Sequence, residues 1–483
     1  MTAVIAEPRR LRYSLDSGLA RLSPAERAER GRAARAQVPR ESHALFERQP
    51  DRPDPLSLLA AQAATRLPDL VPVRWGRMLA SPFAYYRGAA LPMASDLART
   101  PVSGLPVQAC GDAHLSNFGI FGSAERRLVF DINDFDETLP GPWEWDVKRL
   151  AASMEVAARD NGFAGKERRQ IVMATVAKYR QAMRDFARMT NLAVWYAHAD
   201  MDRFRSEFDS QFGKRQRKVV SKSLTQARTR DSIQELAKIT RVIDGRPRII
   251  SDPPLLVPID DLLPSQMDRK AVLAQITDLL SKYRRTLETD RRMLLEQFEF
   301  ADMARKVVGV GSVGTRCWIL LMLGRDPDDP LFLQVKEAEE SVLSHFVGAS
   351  KYPNHGQRVA AGQRLMQASS DIFLGWQRNQ DGLDGREHDF YIRQLRDWKF
   401  SIDVQAMVPR GMEIYGQLCG WTLARAHARS GDRIAIGAYL GGSDVFDQAV
   451  TQFAAAYADQ NERDFQSLVQ AVADGRINAE RDV

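Results

Sequence analysis

Apolar residues recur at helical spacing over most of the chain and at strand-like spacing over a shorter stretch. Between residues 143 and 299 the pattern is mostly helical. Residues 305–400 change towards alternating and continuous apolar runs separated by Asp/Pro and Asp/Gly turns, which predict strands. Helical patterns return over 412–429 and 445–473. The pattern therefore predicts a helix-rich α+β protein.

The composition of successive stretches divides the chain into four segments. Residues 1–55 are rich in Arg, Ala and Glu and polar all round, which predicts a loosely docked or partly disordered arm. Within this arm, Ser23 before Pro24, with Glu26 three residues after the serine, is typical of a helix start. The remaining segments are predicted to be helical, strand-rich and helical in turn: 56–300, 301–400 and 401–483.

The composition is that of an ordinary globular protein with a modest excess of positive charge. The formal net charge is +6 over 483 residues, and Lys and Arg are spread along the chain. We therefore expect no nucleic-acid partner, and the basic run 214–218 is interpreted as a solvated helix face. The three cysteines are far apart, which argues against a structural zinc site or a disulfide scaffold. Without a secretory signal or an apolar run of about 20 residues, we expect a cytoplasmic protein with no membrane contact, and the oligomeric state stays open.

One segment carries a spacing that is typical of phosphoryl transfer. Residues 111–117 read Gly-Asp-Ala-His-Leu-Ser-Asn, so Asp112 and Asn117 keep the spacing of the kinase catalytic loop, His-Arg-Asp-x-x-x-x-Asn. In that template the Asp accepts the proton of the acceptor hydroxyl, while the Asn and a further Asp hold Mg²⁺ over the phosphates. Asp112 is therefore the candidate catalytic base and Asn117 a candidate metal ligand. We include His114 in the catalytic loop, where it is expected to brace the backbone by hydrogen bonds.

An acidic cluster follows the next apolar strand and supplies the other metal candidates. Residues 131–137 read Asp-Ile-Asn-Asp-Phe-Asp-Glu. Asp134 begins Asp-Phe-Asp, close to the Asp-Phe-Gly of kinases, and is the first candidate for the metal. Asp136 is expected to share that ion or hold a second one, with Asp131 in reserve. Asp146 falls where kinases place a buried Asp that holds the catalytic loop, but an ordinary acid in the first turn of a helix would look the same.

A glycine-rich stretch about 200 residues further on adds candidates for binding a nucleotide. Residues 309–314 read Gly-Val-Gly-Ser-Val-Gly, and Gly309, Gly311, Ser312 and Gly314 are expected to cover phosphates. The same pattern marks dinucleotide-binding Rossmann units, in which a helix follows it. Here an apolar stretch leads into a Gly and Asp/Pro turn, which favours a β-hairpin.

Three further residues complete the candidate nucleotide site. Lys336 ends the apolar run Leu-Phe-Leu-Gln-Val-Lys and is expected to contact the α- and β-phosphates, although a strand-end lysine reaching solvent would look alike. Glu340 is the preferred one of three nearby glutamates for orienting Lys336 from a following helix. Residues 389–396 are interpreted as a strand that enters a hinge, where the backbone near Gln394 and Leu395 would meet adenine.

The order of these parts is the reverse of that in kinases, where the Gly-rich loop and the lysine precede the catalytic loop. The helix over 419–429 is similar to the one that precedes His-Gly-Asp in aminoglycoside-type kinases, yet no such loop follows it here. We infer a circular permutation, which domains tolerate because their termini often lie close together. The expected fold is a protein-kinase-like two-lobed one, with 301–400 as the nucleotide lobe and a helical lobe made from both flanking segments.

Longer motifs resemble the bacterial family called domain of unknown function 2252. Among them are Pro-Phe-Ala-Tyr-Tyr-Arg-Gly at 82–88, Trp-Asp-Val-Lys-Arg-Leu at 145–150, Leu-Gln-Val-Lys-Glu-Ala at 333–338 and Arg-Gln-Leu-Arg-Asp-Trp-Lys at 393–399. The resemblance spans nearly the whole chain. It implies no activity, because the family name assigns none, so the similarity to aminoglycoside and protein kinases rests on the shorter motifs.

Together the residues predict an ATP- and Mg²⁺-dependent phosphotransferase that moves the γ-phosphate to a hydroxyl of an unidentified small molecule or protein. One alternative is a nucleotidyl transferase on the same fold, with ATP reversed so that AMP is transferred. Another is a non-catalytic, nucleotide-binding module of the pseudokinase type. A Rossmann oxidoreductase is a further alternative, decided by whether a helix or a strand follows Gly314.

Overall fold

The computed structural model describes residues 13, 15, 21–202, 232–263, 269–380, 385–395, 398 and 402–481, and the basic run 214–218 lies outside them. No described helix is long and apolar enough to cross a membrane. The α-helices are α1 Pro24–Gln37, α2 Pro55–Ala63, α3 Val71–Met78, α4 Pro82–Gly88, α5 Ala90–Leu97, α6 Trp143–Asp160, α7 Gly165–Arg188, α8 Asn191–Tyr196, α9 Ser232–Ile239, α10 Ile259–Leu262, α11 Arg269–Arg284, α12 Thr289–Leu295, α13 Ser344–Val347, α14 His355–Met366, α15 Pro409–Ser430, α16 Arg433–Leu440 and α17 Val445–Ala473.

The described strands form one large sheet and three small ones. They are β1 Pro106–Ala109, β2 Phe118–Gly122, β3 Leu128–Ile132, β4 Leu139–Pro142, β5 Ala199–Asp200, β6 Thr240–Ile243, β7 Arg246–Ile249, β8 Leu256–Pro258, β9 Glu299–Lys306, β10 Cys317–Leu323, β11 Pro330–Glu337, β12 Gly375–Asn379 and β13 His388–Gln394. The strands of the large sheet have the order β12-β13-β11-β10-β9-β8, and each adjacent pair of strands is antiparallel. The chain is therefore an α+β protein, as the hydrophobic pattern predicts.

The helical part of the molecule is built from segments on both sides of the large sheet in the sequence. Helices α6 and α7 pack with α15 and α17 in one continuous hydrophobic core. Trp143 of α6 stacks on Tyr179 of α7 with ring centroids 5.7 Å apart, and Phe446 of α17 packs against the same indole. A Cβ on Gly420 of α15 would lie 2.3 Å from the carbonyl oxygen of Thr175, so glycine allows α7 and α15 to approach closely.

The two faces of the large sheet have different neighbours, because side chains alternate along each strand. One face carries Trp318 and Leu320 and packs against α11 through residues such as Tyr283. The other face packs Ile319 and Phe332 against residues of α9 and β7, and it carries Lys336 at one end. The sheet extends before residue 301, because β8 and the start of β9 belong to it.

The N-terminal arm is docked more firmly than its polar sequence predicts. Helix α1 begins with the predicted capping box, in which Ser23 and Glu26 bond each other's backbone. Arg27 forms an ion pair of 2.8 Å with Asp432, and a Cβ on Gly31 would lie 2.0 Å from the carbonyl oxygen of Ala435. The expectation of a loose arm is therefore wrong for 24–37, because a glycine lets this polar helix pack closely on α16.

Candidate functional site

A cavity of about 400 Å³ lies between the turn that joins β9 to β10, the end of β11 and the loops that follow β1 and β3. Ser312 Oγ and Asp136 Oδ2 lie 3.5 Å apart across it, although the two residues are 176 positions apart in the sequence. The predicted site residues that line it are Asp112, His114, Asn117, Asp134, Asp136, Gly309, Gly311, Ser312 and Glu340. The structure thus gathers most of the candidates around one cavity.

A carboxylate from α6 holds the loop that follows β1. Asp146 Oδ2 accepts a hydrogen bond from the Cys110 amide at 2.7 Å, and Oδ1 accepts one from the Gly111 amide at 3.0 Å. Nε2 of His427 on α15 lies 3.0 Å from the same carboxylate. Gly111 has φ of +80°, and a Cβ there would lie 2.4 Å from the carbonyl oxygen of Glu137. Asp146 therefore fixes the loop rather than acting as an ordinary helix acid.

Asp112 is oriented by a buried arginine. Arg149 of α6 donates from Nε to Asp112 Oδ1 at 2.6 Å, and its Nη2 lies 2.6 Å from the same oxygen. The guanidinium also donates to the carbonyl oxygen of Tyr86 at 3.1 Å and lies over the Tyr86 ring. His114 Nε2 is 3.7 Å from Asp112 Oδ2. One carboxylate oxygen is thus held by Arg149, while the other lies on the side of His114.

The His114 side chain is buried and neutral near pH 7. Burial lowers its pKa to about 4, against the opposing effect of Asp112. Its Nδ1 has no hydrogen-bond partner in the part of the chain that the structure describes. The backbone of His114 makes the bracing contacts instead, donating to the carbonyl oxygen of Asp112 at 2.8 Å and accepting from the Asn117 amide at 2.9 Å. The expected bracing role therefore belongs to the backbone of this residue.

Asp134 and Asp136 share one lysine from the large sheet. Lys336 Nζ lies 3.6 Å from Asp134 Oδ2 and forms a closer ion pair with Asp136 Oδ2. Tyr391 donates to Asp136 Oδ1 at 2.8 Å. Burial acts to raise the pKa of Asp134, but the charges of Lys336 and Arg393 outweigh it and lower that pKa to about 2. Burial and the adjacent Asp134 raise the pKa of Asp136, so the two pKa values are pushed apart, as is common at functional sites.

Asn117, Asp134 and Asp136 offer oxygen atoms of the kind that Mg²⁺ prefers. Asn117 Nδ2 donates to the carbonyl oxygen of Asp112 at 2.8 Å, and no described residue donates to its side-chain oxygen. Within the described ranges, no group of three or more His, Cys, Asp or Glu side chains forms a metal cluster. The set fits Mg²⁺ because this ion commonly uses one or two carboxylates and completes its shell with water and phosphate oxygens. Two carboxylates and one amide oxygen would leave the rest of the coordination shell to water or to oxygen atoms of a ligand.

Asp131, the reserve metal candidate, is used inside the fold. It is buried, forms an ion pair with Arg425 of α15, and accepts hydrogen bonds of 2.9 Å from the amides of Ile132 and Ala368. Because its oxygen atoms are engaged away from the cavity, the suggestion that it could bind the metal is not supported.

The glycine-rich stretch forms the turn of the predicted β-hairpin. A strand, β10, follows Gly314 and pairs with β9 in antiparallel fashion, which excludes the Rossmann arrangement. Gly309 and Gly314 have φ of +67° and +90°. Two residues near the N-terminus hold the turn: Arg77 of α3 donates to the Gly309 carbonyl oxygen at 2.7 Å, and the Leu67 amide, in the loop after α2, donates to that of Gly314 at 2.8 Å.

Two arginines outside the predicted site residues also line the cavity, and one of them, Arg87, belongs to the motif at 82–88. Arg87 of α4 has a buried Nε without a hydrogen-bond partner among the described residues, and burial lowers its pKa against the effect of Asp112. Arg66 donates to the carbonyl oxygen of Val313, but its buried Nε also lacks a described partner. Partly unsatisfied guanidinium groups beside a cavity are well suited to an anion.

Glu340 does not orient Lys336. The chain after β11 forms a loop instead of the expected helix, and Glu340 lies on the cavity wall. Among the described residues, the ion-pair partners of Lys336 are Asp134 and Asp136. The expectation is wrong because the acids that follow β3 already take the position beside the ammonium group.

Glu137 anchors this loop and is a cavity residue that the sequence does not single out. Its Oε2 accepts a hydrogen bond from the Val342 amide at 2.7 Å, and its carbonyl oxygen accepts one from Ser341 Oγ at 2.7 Å. Burial raises the pKa of Glu137 to about 7, despite the opposing hydrogen bond from Val342. A carboxyl group that titrates near neutral pH therefore lies beside the candidate metal ligands.

Gln394 and Leu395 lie away from the cavity that contains the 309–312 turn and line a different one. The Gln394 amide donates to Asp371 Oδ2 at 2.8 Å, and the Leu395 amide donates to the carbonyl oxygen of Phe332 at 2.9 Å. The expected adenine contact with these backbone amides is therefore not supported, because both already have partners within the fold.

The comparisons with known proteins give a family and no activity. No curated protein matches the chain, and no solved structure does. One family model matches residues 66–471, which include the loop after β1, the acids after β3, the hairpin and Lys336. The chain therefore belongs to the family described as uncharacterized protein conserved in bacteria (DUF2252).

Proposed function

We propose that this protein is an ATP- and Mg²⁺-dependent phosphotransferase that moves the γ-phosphoryl group to a hydroxyl of a small molecule or protein. The proposal rests on one observation: Asp112, Asn117 and Asp134 line the same cavity as the glycine-rich turn 309–312. Lys336 lies on β11, the strand that follows the β9–β10 hairpin, and its Nζ is 3.6 Å from Asp134 Oδ2. This combination of acid, amide, glycine-rich turn and lysine is what phosphoryl transfer requires.

Each residue has a defined task in such a reaction. When bound, Mg-ATP supplies the phosphoryl group, and its metal neutralises the charge that develops on the phosphate oxygens. Asn117 Oδ1 and the carboxylates of Asp134 and Asp136 would hold that metal. Asp112, fixed by Arg149, would accept the proton of the acceptor hydroxyl. Catalysis would rest mainly on positioning and charge neutralisation.

Arg87 would contribute a further positive charge for the phosphoryl oxygens. It lines the cavity together with Asp112 and Asp134, whose charges both act on its guanidinium group. Since its Nε has no hydrogen-bond partner among the described residues, it is ready to pair with an anion.

A permuted kinase-like fold is part of the proposal. In kinases a helix precedes the catalytic strand and loop. Here the matching helix, α15, begins more than 300 residues after the start of β1. Its end nevertheless meets β1, since the Gln108 amide donates to Ser430 Oγ at 3.1 Å. A Cβ on Gly431 would lie 2.6 Å from Val107 Cγ1. The spatial succession of helix, strand and loop therefore supports a permutation of the chain.

A thermal-shift titration with Mg-ATP tests the proposal on the wild type, Lys336→Ala and Asp134→Ala. A ligand at 100 times its dissociation constant adds about 2.7 kcal/mol to the free energy of unfolding. We expect ATP in the presence of Mg²⁺, compared with Mg²⁺ alone, to stabilise the wild type and the exposed Asp185→Asn but neither of the two site variants. Absence of any shift in the wild type would contradict nucleotide binding at this site.

A second function, transfer of AMP, is favoured by one feature of the cleft. Arg393 donates to Gln334 Oε1 at 3.1 Å and to the carbonyl oxygen of Asn133 at 2.9 Å, so it joins the sheet to the loop after β3. Gln394 lines a separate cavity, whose wall includes Asn133 and Arg393. The cavity at the 309–312 turn continues along apolar residues of α2 and α5, such as Leu58 and Leu91, which could receive a base if ATP were reversed.

Label transfer separates these functions. The full-length protein would be incubated with ATP labelled at the α- or the γ-phosphate, and with candidate acceptors or as its own acceptor. Transfer of the γ-label supports the phosphotransferase, whereas transfer of the α-label supports the reversed nucleotide. Stabilisation by Mg-ATP without transfer of either label or release of phosphate would indicate a nucleotide-binding protein without catalysis.

A further inference from the structure

A second cavity, of about 320 Å³, lies on the face of the large sheet that packs against α11. Trp318, Leu320 and Val335 line it from the sheet, and Ile276 and Tyr283 line it from the helix. These side chains are otherwise buried in a hydrophobic core. The cavity is roughly twice the size of the apolar cavity of about 150 Å³ that suffices to bind benzene. Its walls are those of a ligand pocket, which is typically apolar with a few polar groups.

Two arginines line one end of this cavity. Arg305 of β9 and Arg316, just before β10, both line it at the end of the sheet nearest the glycine-rich turn. Arg305 Nη2 lies 2.9 Å from Asp69, but its buried Nε has no hydrogen-bond partner among the described residues. Arg316 forms an ion pair of 3.2 Å with Glu337. An apolar body with a guanidinium group at one end matches a ligand with an apolar chain and an anionic head.

We propose that this cavity binds an amphiphile with a single apolar chain and an anionic head group, of the medium-chain fatty acid type. The apolar chain of this ligand lies between α11 and the face of the sheet that carries Trp318, and its anionic head group pairs with Arg305. This site is separate from the cavity at the 309–312 turn, because the two cavities share no lining residue. Binding there does not depend on the proposed phosphotransferase activity.

Calorimetric titration of the full-length protein with octanoate, decanoate and dodecanoate below their micelle concentrations tests the proposal. We expect saturable one-site binding that strengthens with chain length as more apolar surface is buried. Ile276→Trp, which fills the cavity, should weaken decanoate binding by about tenfold or more, a change of about 1.4 kcal/mol. Leu273→Trp, on an exposed position of the same helix, is the matched control and should bind as the wild type.

The head-group assignment has its own test. Arg305→Met should weaken binding of decanoate while leaving that of decanol unchanged, because only the carboxylate needs the guanidinium group. Should Ile276→Trp fail to fold, Val272→Phe fills the same cavity from the same helix. No binding of any probe to the wild type, or equal binding by wild type and cavity-filled variant, would overturn the site. Equal loss of decanoate and decanol in Arg305→Met would overturn the anionic head group.

Discussion

The contact between Asp112 and Arg149 determines what a substitution at the candidate base will do. Asp112→Asn keeps the shape of the side chain but cannot accept a proton, so turnover should fall by about 10²–10⁴-fold. Nucleotide binding should persist, because the metal ligands and Lys336 are unchanged. The measurement is phosphate release or transfer from labelled ATP, together with the Mg-ATP thermal shift of each variant.

Stability has to be followed in the same experiment. Arg149 is buried and loses a charged partner in Asp112→Asn, although its bond to the carbonyl oxygen of Tyr86 remains. Asp185→Asn, an exposed change on α7, is the matched control. Equal turnover in Asp112→Asn and wild type, with both folded, would contradict the role of Asp112.

His43 should make the stability of the protein depend on pH. It is buried, its Nε2 lies 2.6 Å from the Tyr439 hydroxyl, and burial with the nearby Lys148 lowers its pKa to about 3. The unfolded chain therefore binds this proton more readily below about pH 6.5, so His43 contributes a fall of about 1.4 kcal/mol per pH unit to the free energy of unfolding as the pH drops towards 3. Urea unfolding between about pH 7 and pH 5 should show a smaller fall for His43→Gln. The exposed His198→Gln should follow the wild type, and equal slopes for His43→Gln and wild type would refute the effect.

The motif residues could be expected to meet, but their partners could not. Asp112, Asn117 and Asp134 stand at spacings set by one chemistry, so their convergence on a cavity follows from the pattern. Arg66, in a bend after α2, and Arg87, in α4, carry no such spacing. From the sequence alone, an arginine is expected to face water or to pair with an acid. Their place at the cavity depends on how helices near the N-terminus pack, which no local pattern reports.

Among the loops, the one that follows β1 provides a test of conformational strain. Gly111 and Gly104 both have positive φ, of +80° and +74°, but a Cβ on Gly104 would meet nothing within 4 Å. Gly104→Ala should therefore cost about 1–2 kcal/mol from backbone strain alone. Gly111→Ala should cost about 3 kcal/mol or more, because the new methyl group also meets the carbonyl oxygen of Glu137. Free energies of unfolding from urea titration check this, and equal costs for the two variants would contradict it.

At the level of elements, local patterns predict hairpins and caps better than contacts between distant segments. The β9–β10 hairpin follows from glycines between apolar runs, and the start of α1 follows from Ser23 and Glu26. The docking of α1 on α16 does not, because it depends on the lack of a side chain at Gly31 rather than on an apolar stripe. The positions of Gln394 and Leu395 likewise depend on the direction in which β13 leaves the sheet, which strand propensity does not determine.

Across the whole molecule, the candidate site is completed by contacts between remote segments. The large sheet reaches the loop after β3 through three side chains, Lys336, Tyr391 and Arg393. Two of these contacts converge on Asp136. The permuted order predicted from the sequence would need such contacts, since the acids and the lysine belong to separate parts of the chain. The same carboxylates thus take part in joining the sheet to the helical part and serve as the candidate metal ligands.

Lys336→Met should expose this double role. Lys336 is 2% exposed, and its loss leaves Asp134 and Asp136 close together without their ammonium partner. The free energy of unfolding should fall by about 2 kcal/mol, below the 3–5 kcal/mol of a fully buried pair because both acids also border the cavity. Mg²⁺ alone, at about 10 mM, should then raise the melting temperature of the variant more than that of the wild type, because it no longer competes with Lys336 for the carboxylates. Lys282→Met, which removes an exposed ion pair with Asp278, is the control, and an equal or smaller effect of Mg²⁺ on Lys336→Met than on the wild type would exclude these acids as metal ligands.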